Sequence, residues 1–346
     1  MLKVIVAGAG IAGLAAAWEL RQAGVDVTVI ESELRPGGVI VTERRDGFVV
    51  EGGPDGFLAA EPEIPALAAE LGIADRIVAQ QVRGTSRWIG KRFEPLEEGR
   101  AAELLGIETR ASDLTAGFRT FIGGMEELIA ALAERLPLDL GQGITEGIAP
   151  RDQGWRVWLR EDSTHDADGL VLAVPTYVAS RWLSQIGVQG SGKLAEVVYA
   201  PSLTVSLAYK ADQIARLLEG SGFVGTPPLR ACTYASSKFA GRAPDGHVLL
   251  RAFLAPNRED SATLAHNQLA AILKIRGEPL WSRVFHWPRG LPRYPERYGL
   301  HLAALRERLA RLAVAIAGAG YDGAGVSACV RSGREAARML LGRLGS

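Results

Sequence analysis

The sequence predicts an α/β fold in which helices cover a parallel sheet and a second domain, built on a mostly antiparallel sheet, is inserted into the first. Near the N-terminus, strand-like and helix-like segments alternate, which is typical of a parallel sheet with crossover helices. The middle of the chain instead carries several strand-like segments with few helices between them, which indicates antiparallel pairing. The 346 residues suffice for two domains of about 150 residues each.

The composition is that of a globular protein and excludes several functional classes. Hydrophobic residues make up 47% and charged residues 23% of the chain, which is enough for a core and unlike a disordered chain. Because 39 Lys and Arg balance 39 Asp and Glu, no net positive field attracts nucleic acid or anionic membranes. Two cysteines, Cys232 and Cys329, exclude a disulfide framework, and neither they nor the 5 histidines show metal-ligand spacing.

The N-terminal segment Val4–Trp18 carries no charge and therefore has to be tested as a membrane anchor or signal peptide. It is shorter than the roughly 20 residues that span a bilayer. Its glycines suit a nucleotide-binding turn better than the apolar centre of a signal peptide. We therefore expect a cytoplasmic protein with no transmembrane segment, no peripheral membrane contact, no metal and no nucleic acid partner.

The first segments of the chain follow the order strand, glycine turn, helix, strand, acid. They are the strand Leu2–Ala7, the turn Gly8-Ala-Gly10-Ile-Ala-Gly13, the helix Ile11–Gln22, the strand Val25–Ile30 and Glu31. A glycine turn alone is weak evidence, but here the strand, the helix and the acid that the motif requires are all present. The pattern predicts a Rossmann-like dinucleotide-binding unit.

Each residue of this motif has a physical task. Gly8 allows the tight turn, Gly10 lets a pyrophosphate approach the backbone, and Gly13 lets the helix pack closely. The N-terminus of the helix offers free N–H groups to the phosphates. Glu31 can accept hydrogen bonds from ribose hydroxyls and would repel a 2′-phosphate, which disfavours NADP.

Further glycines extend the predicted cofactor site beyond what NAD requires. Gly37 and Gly38 follow Glu31 closely, and Gly53-Pro54-Asp55 forms a turn of small residues on which a flat ring could lie. Arg35 either neutralises the pyrophosphate or is a surface arginine. Near the C-terminus, the glycines from Gly318 to Gly325 lead into a helix whose N-terminus would stabilise negative charge on a flavin. Together these features predict FAD as the cofactor.

The remaining elements follow from periodicity and turn residues. We expect helices within residues 57–80 and at Phe121–Leu136, Leu302–Ala317 and Val326–Leu344, and strands at Ser86–Ile89, Trp155–Arg160, Gly169–Val174, Leu203–Tyr209, His247–Leu254 and Arg283–Trp287. We assign residues 1–60, 123–185 and 295–346 to a discontinuous FAD-binding domain, and residues 61–122 and 186–294 to an inserted substrate domain.

Over most of its length the sequence resembles the bacterial protoporphyrinogen and coproporphyrinogen oxidases, flavoproteins of haem biosynthesis within the superfamily of amine oxidases and phytoene desaturases. The segments that carry the resemblance are AGAGIAGLAAAWEL, VIESELRPGG, FVVEGGPDGFL, IGGMEELIAALAERL, LVLAVP, ACTYASSKFAGRAPDGHVLLRAF, VFHWPRGLPRYP and AGAGYDGAGVSACVRSGREAARML. The resemblance implies an FAD-binding domain of the GR2 type. It also implies hydride transfer from a porphyrinogen meso carbon to flavin N5, with O2 as the reoxidant.

The resemblance also implies roles for single residues. Beside the glycines and Glu31 already named, the cofactor-binding positions that match the family are Gly53, Pro54, Asp55, Ile144, Ala173, Pro175, Trp287, Gly318, Gly325 and Val326. Arg87 resembles an arginine that pairs with a substrate propionate. No catalytic side chain is expected, because the reaction mainly requires that the substrate be positioned against the flavin.

Two departures from the family pattern keep alternatives open. The helical domain that forms part of the substrate cavity and of the membrane contact in the family is absent, because Pro95–Thr120 spans only 26 residues. Val39 stands where the family often has a Lys or Arg. The alternatives are an oxidase of an amine or other small substrate, and a non-catalytic flavin- or tetrapyrrole-binding protein whose partner protein completes the site.

Overall fold

The fold comes from a computed structural model and is described for residues 1–97, 100, 114–144, 147–160, 163–255 and 260–345. The strands in this part of the chain are β1 (Lys3–Ala7), β2 (Asp26–Glu31), β3 (Thr42–Arg45), β4 (Phe48–Glu51), β5 (Phe57–Leu58), β6 (Ile77–Ala79), β7 (Thr85–Trp88), β8 (Phe93–Leu96), β9 (Phe118–Phe121), β10 (Leu138–Leu140), β11 (Gly147–Pro150), β12 (Trp155–Trp158), β13 (Thr164–Ala167), β14 (Gly169–Leu172), β15 (Val198–Lys210), β16 (Gly222–Val224), β17 (Leu229–Tyr234), β18 (His247–Leu254), β19 (Trp281–Arg293) and β20 (Val314–Ile316).

The helices in the same part of the chain are α1 (Ile11–Gln22), α2 (Glu63–Glu70), α3 (Glu126–Ala133), α4 (Thr176–Gln185), α5 (Ala235–Lys238), α6 (Ser261–Leu273), α7 (Tyr298–Arg311), α8 (Ala319–Asp322) and α9 (Val326–Leu344). Short 3-10 helices lie at Ala74–Arg76, Ser191–Glu196 and Ala211–Gln213.

A five-stranded parallel sheet of order β10-β2-β1-β14-β20 forms the centre of one half of the molecule. Its strands are apolar on both faces because both are covered: Val4 and Val6 of β1 pack into one core, and Ile5 and Ala7 pack into another. Helices α1 and α9 cross closely on the first of these faces. A Cβ atom on Gly333 would collide with the Ala12 carbonyl oxygen, so the crossing requires glycine there.

A seven-stranded sheet of order β19-β15-β18-β17-β16-β7-β8 forms the other half. Its pairs are antiparallel except for the parallel pair β16 and β7. On β15, Leu203, Val205 and Leu207 belong to a core that also contains Leu269 of α6; we call this side the apolar face. The alternate residues Thr204 and Ser206 are also buried, on the opposite side, which we call the polar face.

Three smaller sheets complete the described architecture. They are the antiparallel sheet β11-β12-β13, the hairpin β3-β4 and the antiparallel sheet β5-β9-β6. The hairpin β3-β4 leads directly into the turn at residues 52–56, which lies next to the polar face. A parallel sheet combined with a larger, mostly antiparallel sheet confirms the predicted α/β class.

Some predicted elements match closely and others are wrong. Helices Ile11–Gln22 and Val326–Leu344 and strand His247–Leu254 have the predicted bounds. The predicted helix Leu302–Ala317 is wrong at its C-terminal end, because the helix ends at Arg311, Ala313 takes a left-handed φ of 54°, and β20 follows. A short apolar run such as Val314–Ile316 does not distinguish a buried strand from a helix by periodicity.

The predicted helix Phe121–Leu136 is also too long at both ends. Phe121 is the last residue of β9, and the helix itself runs from Glu126 to Ala133. The strand that follows, Leu138–Leu140, was not predicted. Gly123 and Gly124 separate strand from helix, and Gly124 has a φ of 107°, which an ordinary helical residue does not adopt.

Candidate functional site

The first glycine turn is assembled from backbone contacts. Gly8 has a φ of 102° and donates its N–H to the Ile30 carbonyl oxygen at 2.8 Å. A Cβ atom on Gly13 would collide with the Gly8 carbonyl oxygen. Around Gly10, in contrast, no described atom lies within 4 Å of the position of a Cβ atom. The turn is therefore tight at its ends and open at its centre, where helix α1 begins with no side-chain cap among the described residues.

Glu31 lies at the end of β2 beside this turn. Its Oε2 accepts a hydrogen bond from the Ala9 N–H at 2.8 Å, and its Oε1 accepts one from the Glu33 N–H at 3.0 Å. The Gln142 N–H donates to the Glu31 carbonyl oxygen at 2.9 Å, which brings the segment containing the partly buried Ile144 to the same place. The two residues predicted for the adenosine end of a dinucleotide thus lie close together.

The second glycine pair packs against the first turn. The Gly37 N–H donates to the Ala9 carbonyl oxygen at 2.7 Å, and a Cβ atom on Gly38 would lie 3.6 Å from the Gly10 Cα. Arg35 donates to the Gly38 carbonyl oxygen at 2.6 Å and to the Pro36 carbonyl oxygen at 3.2 Å. Its guanidinium therefore braces this turn through carbonyl groups.

The segment after β14 also borders the first turn. The Ala173 N–H donates to the Ala7 carbonyl oxygen at 2.8 Å, and a Cβ atom on Gly8 would lie 2.5 Å from the Ala173 carbonyl oxygen. Pro175 is the residue before helix α4. The Tyr321 hydroxyl donates to the Val174 carbonyl oxygen at 3.0 Å and so ties this segment to the C-terminal glycine cluster.

The C-terminal glycine cluster lies beside α1. Gly318 has a φ of 120°, donates its N–H to Ser332 Oγ at 2.9 Å, and approaches Ala12. Gly325 precedes helix α9, whose first residue is Val326 and whose N-terminus has no side-chain cap among the described residues. Two helix N-termini with free N–H groups, α1 and α9, thus lie on one side of the parallel sheet.

Tyrosines that the sequence analysis did not identify hold this cluster in place. The Tyr294 hydroxyl donates to the Ala319 carbonyl oxygen, and the Tyr298 hydroxyl donates to the Gly320 carbonyl oxygen at 2.8 Å. Nothing in their local sequence indicates these bonds, because each partner carbonyl is more than twenty residues away.

The turn at Gly53-Pro54-Asp55 is a further backbone surface of the site. A Cβ atom on Gly53 would collide with the Val39 carbonyl oxygen, so only glycine fits there. Trp287 Nε1 donates to the Gly52 carbonyl oxygen at 2.8 Å, which connects the turn to strand β19. Val39 itself is 41% exposed.

Taken together, these surfaces consist mainly of glycine backbone, free helix N-termini and one acid. Such groups hold phosphates and ribose hydroxyls, and the predicted residues of four chain segments meet around the Gly8–Gly13 turn. The residues present therefore fit an extended dinucleotide such as FAD.

A cavity of about 410 Å³ lies between the Gly53-Pro54-Asp55 turn and the seven-stranded sheet. Its charged lining residues are Asp55, Arg83, Glu97, Arg230, Lys238 and Arg251, and its aromatic ones are Phe118, Phe223 and Phe253. Leu96, Glu97 and Leu114 also line it. Most of the predicted short replacement, residues 95–120, lies between them and outside the described residues.

Asp55 and Lys238 form an ion pair inside the cavity. Lys238 Nζ lies 2.9 Å from Asp55 Oδ2 and 3.1 Å from Oδ1, and it lies over the Phe118 ring at 4.5 Å from the centroid. Burial acts to raise the pKa of Asp55, but the charges of Lys238 and Arg251 outweigh it, so the pKa lies below its usual value. Asp55 is therefore a carboxylate at neutral pH.

A second buried pair, Glu51 and Arg242, lies under the same turn. Arg242 Nη2 lies 3.2 Å from Glu51 Oε1, and the carboxylate also accepts hydrogen bonds from Thr42 Oγ1 at 2.8 Å and the Met125 N–H at 2.9 Å. Burial raises the pKa of Glu51 above its usual value, although Arg242 and these two donors act to lower it. This network joins hairpin β3-β4 to the start of α3.

Arg87, the predicted substrate anchor, lies on β7, where it is exposed and is not among the residues that line the cavity. Its role stays a prediction. Lys238 and Arg251 do line the cavity, although neither is among the site residues predicted from sequence. A signal was present for Arg251, because a charged residue inside the apolar strand HVLLRAFL requires a polar environment on one face.

Within the described ranges, no helix is long and apolar enough to cross a membrane. A search of the same residues finds no group of three or more His, Cys, Asp or Glu side chains that could hold a metal ion.

Comparison with protein families matches this chain to flavin containing amine oxidoreductase over residues 11–121 and 99–341. Among relatives, the coproporphyrinogen III oxidase of Propionibacterium freudenreichii is 25% identical over 475 residues, covering 96% of this chain and 90% of the relative. The coproporphyrinogen III oxidase of Bacillus subtilis is 23% identical over 456 residues, covering 96% of each chain. Both alignments are longer than this chain of 346 residues, so long stretches of each relative have no counterpart here.

Solved structures show the same fold. A protein of Exiguobacterium with the provisional name protoporphyrinogen oxidase superposes with a TM-score of 0.84 at 20% identity, covering 100% of this chain and 99% of the other. Cyclohexylamine oxidase of Brevibacterium oxydans superposes with a TM-score of 0.80 at 14% identity, covering 100% of both chains. These similarities confirm the predicted fold class.

Proposed function

Because the chain belongs to the flavin containing amine oxidoreductase family and is therefore a flavin-dependent oxidoreductase, we propose that it is an FAD-dependent oxidase of a porphyrinogen. The proposed substrate is coproporphyrinogen III or protoporphyrinogen IX, and the proposed final acceptor is O2. The two relatives named coproporphyrinogen III oxidase, aligned over 96% of this chain, support this substrate class.

The observation that carries the proposal is the charge of the cavity. Its lining includes the cations Arg83, Arg230, Lys238 and Arg251 and the two carboxylates Asp55 and Glu97. Among the described residues of the lining, this is a surplus of positive charge in a partly apolar cavity, which favours an apolar substrate with carboxylate substituents over a protonated amine. The volume of about 410 Å³ lies within the range of about 300–1,000 Å³ for ligand pockets.

The proposed roles of the residues follow from their positions. Bound FAD supplies the hydride acceptor. The N-termini of α1 and α9 would hold negative charge, and Glu31 would hold the ribose. Arg35, Gly37 and Gly38 would border the pyrophosphate, Ile144 the adenine, and Ala173, Pro175, Trp287, Gly318, Gly325 and Val326 the flavin. The Gly53-Pro54-Asp55 turn would set the distance between the ring and the cavity.

The domain ranges and the missing helical domain are part of this proposal. Every strand of the parallel sheet lies within residues 1–60, 123–185 and 295–346, and every strand of the seven-stranded sheet lies within 61–122 and 186–294. If the cavity is complete with this short chain, the helical domain is dispensable for turnover. If it is not, a partner protein supplies the missing wall. We place the enzyme in the cytoplasm.

The test is oxidation of coproporphyrinogen III by the FAD-loaded protein in air, followed by porphyrin fluorescence against a protein-free control. We expect fluorescence to rise well above autoxidation, and to rise more slowly with Arg87→Ala if that arginine binds a propionate. Arg92→Ala is the matched control, because Arg92 lies in the turn of the same β7-β8 hairpin and pairs only with Glu94 among the described residues, at 2.8 Å. A trace equal to autoxidation, from protein that retains flavin, would contradict the proposal and favour a smaller substrate or a required partner.

A further inference from the structure

Among the described residues beneath the Gly52-Gly53 turn, buried positive charges outnumber negative ones. Three buried cations, Lys238, Arg242 and Arg251, lie near two carboxylates, Glu51 and Asp55. Arg242 pairs with Glu51 at 3.2 Å, and Lys238 pairs with Asp55 at 2.9 Å. Within the described residues, this leaves Arg251 without a carboxylate of its own.

Arg251 also has few hydrogen-bond acceptors around it. The side chain is only 6% exposed, yet its Nε has no hydrogen-bond partner among the described residues. Its Nη2 makes two long contacts, to the Gly52 carbonyl oxygen at 3.5 Å and to Thr204 Oγ1 at 3.4 Å. Burying a guanidinium with so few acceptors is costly, and a ligand that supplies an anion would remove the cost.

The other cations of the cavity are already engaged. Lys238 contacts Asp55 and lies over two aromatic rings. Arg83 donates to the carbonyl oxygens of Thr115 at 2.7 Å and Ala116 at 2.6 Å, and Arg230 also has an interaction partner. Arg251 also lies over an aromatic ring, that of Phe253 at 5.1 Å from the centroid, but among the described cations that line the cavity its hydrogen bonds are the least satisfied.

We propose that Arg251 is the carboxylate-binding residue of the cavity and fixes one acidic substituent of the substrate next to the Gly53-Pro54-Asp55 turn. The inference rests on the proposed function in that the substrate is an apolar ring system with a carboxylate. It replaces the exposed Arg87 by a buried arginine as the main anchor. Asp55 prevents a second carboxylate from binding at Lys238, since the two like charges would repel.

The test measures equilibrium binding by calorimetry to the FAD-loaded protein, with a small probe, indole-3-propionate, and its neutral amide, indole-3-propionamide. We expect wild type to prefer the carboxylate. Arg251→Met should weaken binding of the carboxylate by about 10- to 100-fold, the size of a charge-assisted hydrogen bond, and leave binding of the amide unchanged. Arg92→Met, which changes an exposed arginine between β7 and β8, should bind both probes as wild type does.

A second variant distinguishes loss of the carboxylate contact from misfolding of the protein. Arg251→Lys keeps the charge but lacks the guanidinium fork, so we expect an intermediate loss. Equal binding of carboxylate and amide by wild type would overturn the inference. So would a loss of carboxylate binding with Arg87→Met and not with Arg251→Met.

Failure of the inference and failure of the proposed function differ in this design. If coproporphyrinogen III is oxidised while Arg251→Met binds the carboxylate like wild type, only the inference is wrong. If coproporphyrinogen III is not oxidised while carboxylate binding depends on Arg251, the carboxylate site stands and the proposed substrate is wrong.

Discussion

The two faces of the seven-stranded sheet are built from the same strands and serve opposite purposes. On β15, Leu203, Val205 and Leu207 pack into an apolar core with α6. The alternate residues Thr204 and Ser206 are 1% exposed each. Thr204 contacts the buried Arg251, and Ser206 is paired with Arg251 across the β15-β18 ladder. The apolar face gains free energy from burial. The polar face also buries a smaller apolar cluster that includes Leu249 and Phe285, but it carries a desolvation cost around Arg251. A ligand bound next to Arg251 would offset that desolvation cost.

The largest expected effect is the loss of stability when a side chain of the apolar face is shortened. Leu207 is fully buried, and Leu207→Ala leaves a cavity in the apolar face, so we expect the free energy of unfolding to fall by about 2–5 kcal/mol. Urea denaturation measures it. Leu217→Ala is the control, because Leu217 is 77% exposed and should change stability by less than about 0.5 kcal/mol. Equal effects of the two changes would contradict the assignment of the apolar face.

A reciprocal exchange of neighbouring residues tests the faces directly. Val205→Thr places a hydroxyl in the apolar face and should cost about 1–3 kcal/mol of stability. Thr204→Val removes only the long contact to Arg251 Nη2 and should cost less than about 1 kcal/mol. Urea denaturation of both variants compares them on one scale. The comparison of faces fails if Thr204→Val costs more than Val205→Thr.

The pH dependence of stability tests the buried charges beneath the Gly52-Gly53 turn. The pKa of Glu51 is raised in the folded protein, mainly by burial, above its ordinary value of 4.5. Its contribution to stability is therefore fully present below pH 4.5 and is lost as the pH rises through the raised pKa, with a slope of at most about 1.4 kcal/mol per pH unit.

The measurement is the free energy of unfolding of wild type minus that of Glu51→Gln, plotted against pH. We expect the difference to fall with rising pH. A difference that rises would mean that Arg242 favours the ionised form more than burial disfavours it. Asp55→Asn should give the opposite sign, because the pKa of Asp55 is lowered and its contribution is lost as the pH falls.

The smallest effect concerns one hydrogen bond between the sheet and the turn. Trp287→Phe removes the donor to the Gly52 carbonyl oxygen and should cost about 1 kcal/mol, together with weaker retention of FAD during gel filtration. Trp281→Phe on the same strand is the matched control, because Trp281 Nε1 has no partner among the described residues. If both variants lose flavin equally, the bond to Gly52 does not position the turn.

The sequence by itself determined the geometry of the proposed dinucleotide half of the site. Gly8, Gly10, Gly13 and Glu31 lie within one strand-helix-strand unit, so their geometry is imposed by local backbone conformation. A local rule cannot detect Val314–Ile316, because three apolar residues become a strand only when β14 is there to pair with them.

Only the tertiary structure decided the composition of the cavity. Asp55 and Lys238 are 183 residues apart in sequence, and Arg251 reaches the Gly52 carbonyl oxygen across 199 residues. The sequence pointed to Arg87, which is exposed, because a motif indicates which residue type recurs at a position and not which side chains are buried together. Charge balance and desolvation depend on neighbours in space, and those are known only once the two halves of the molecule have packed.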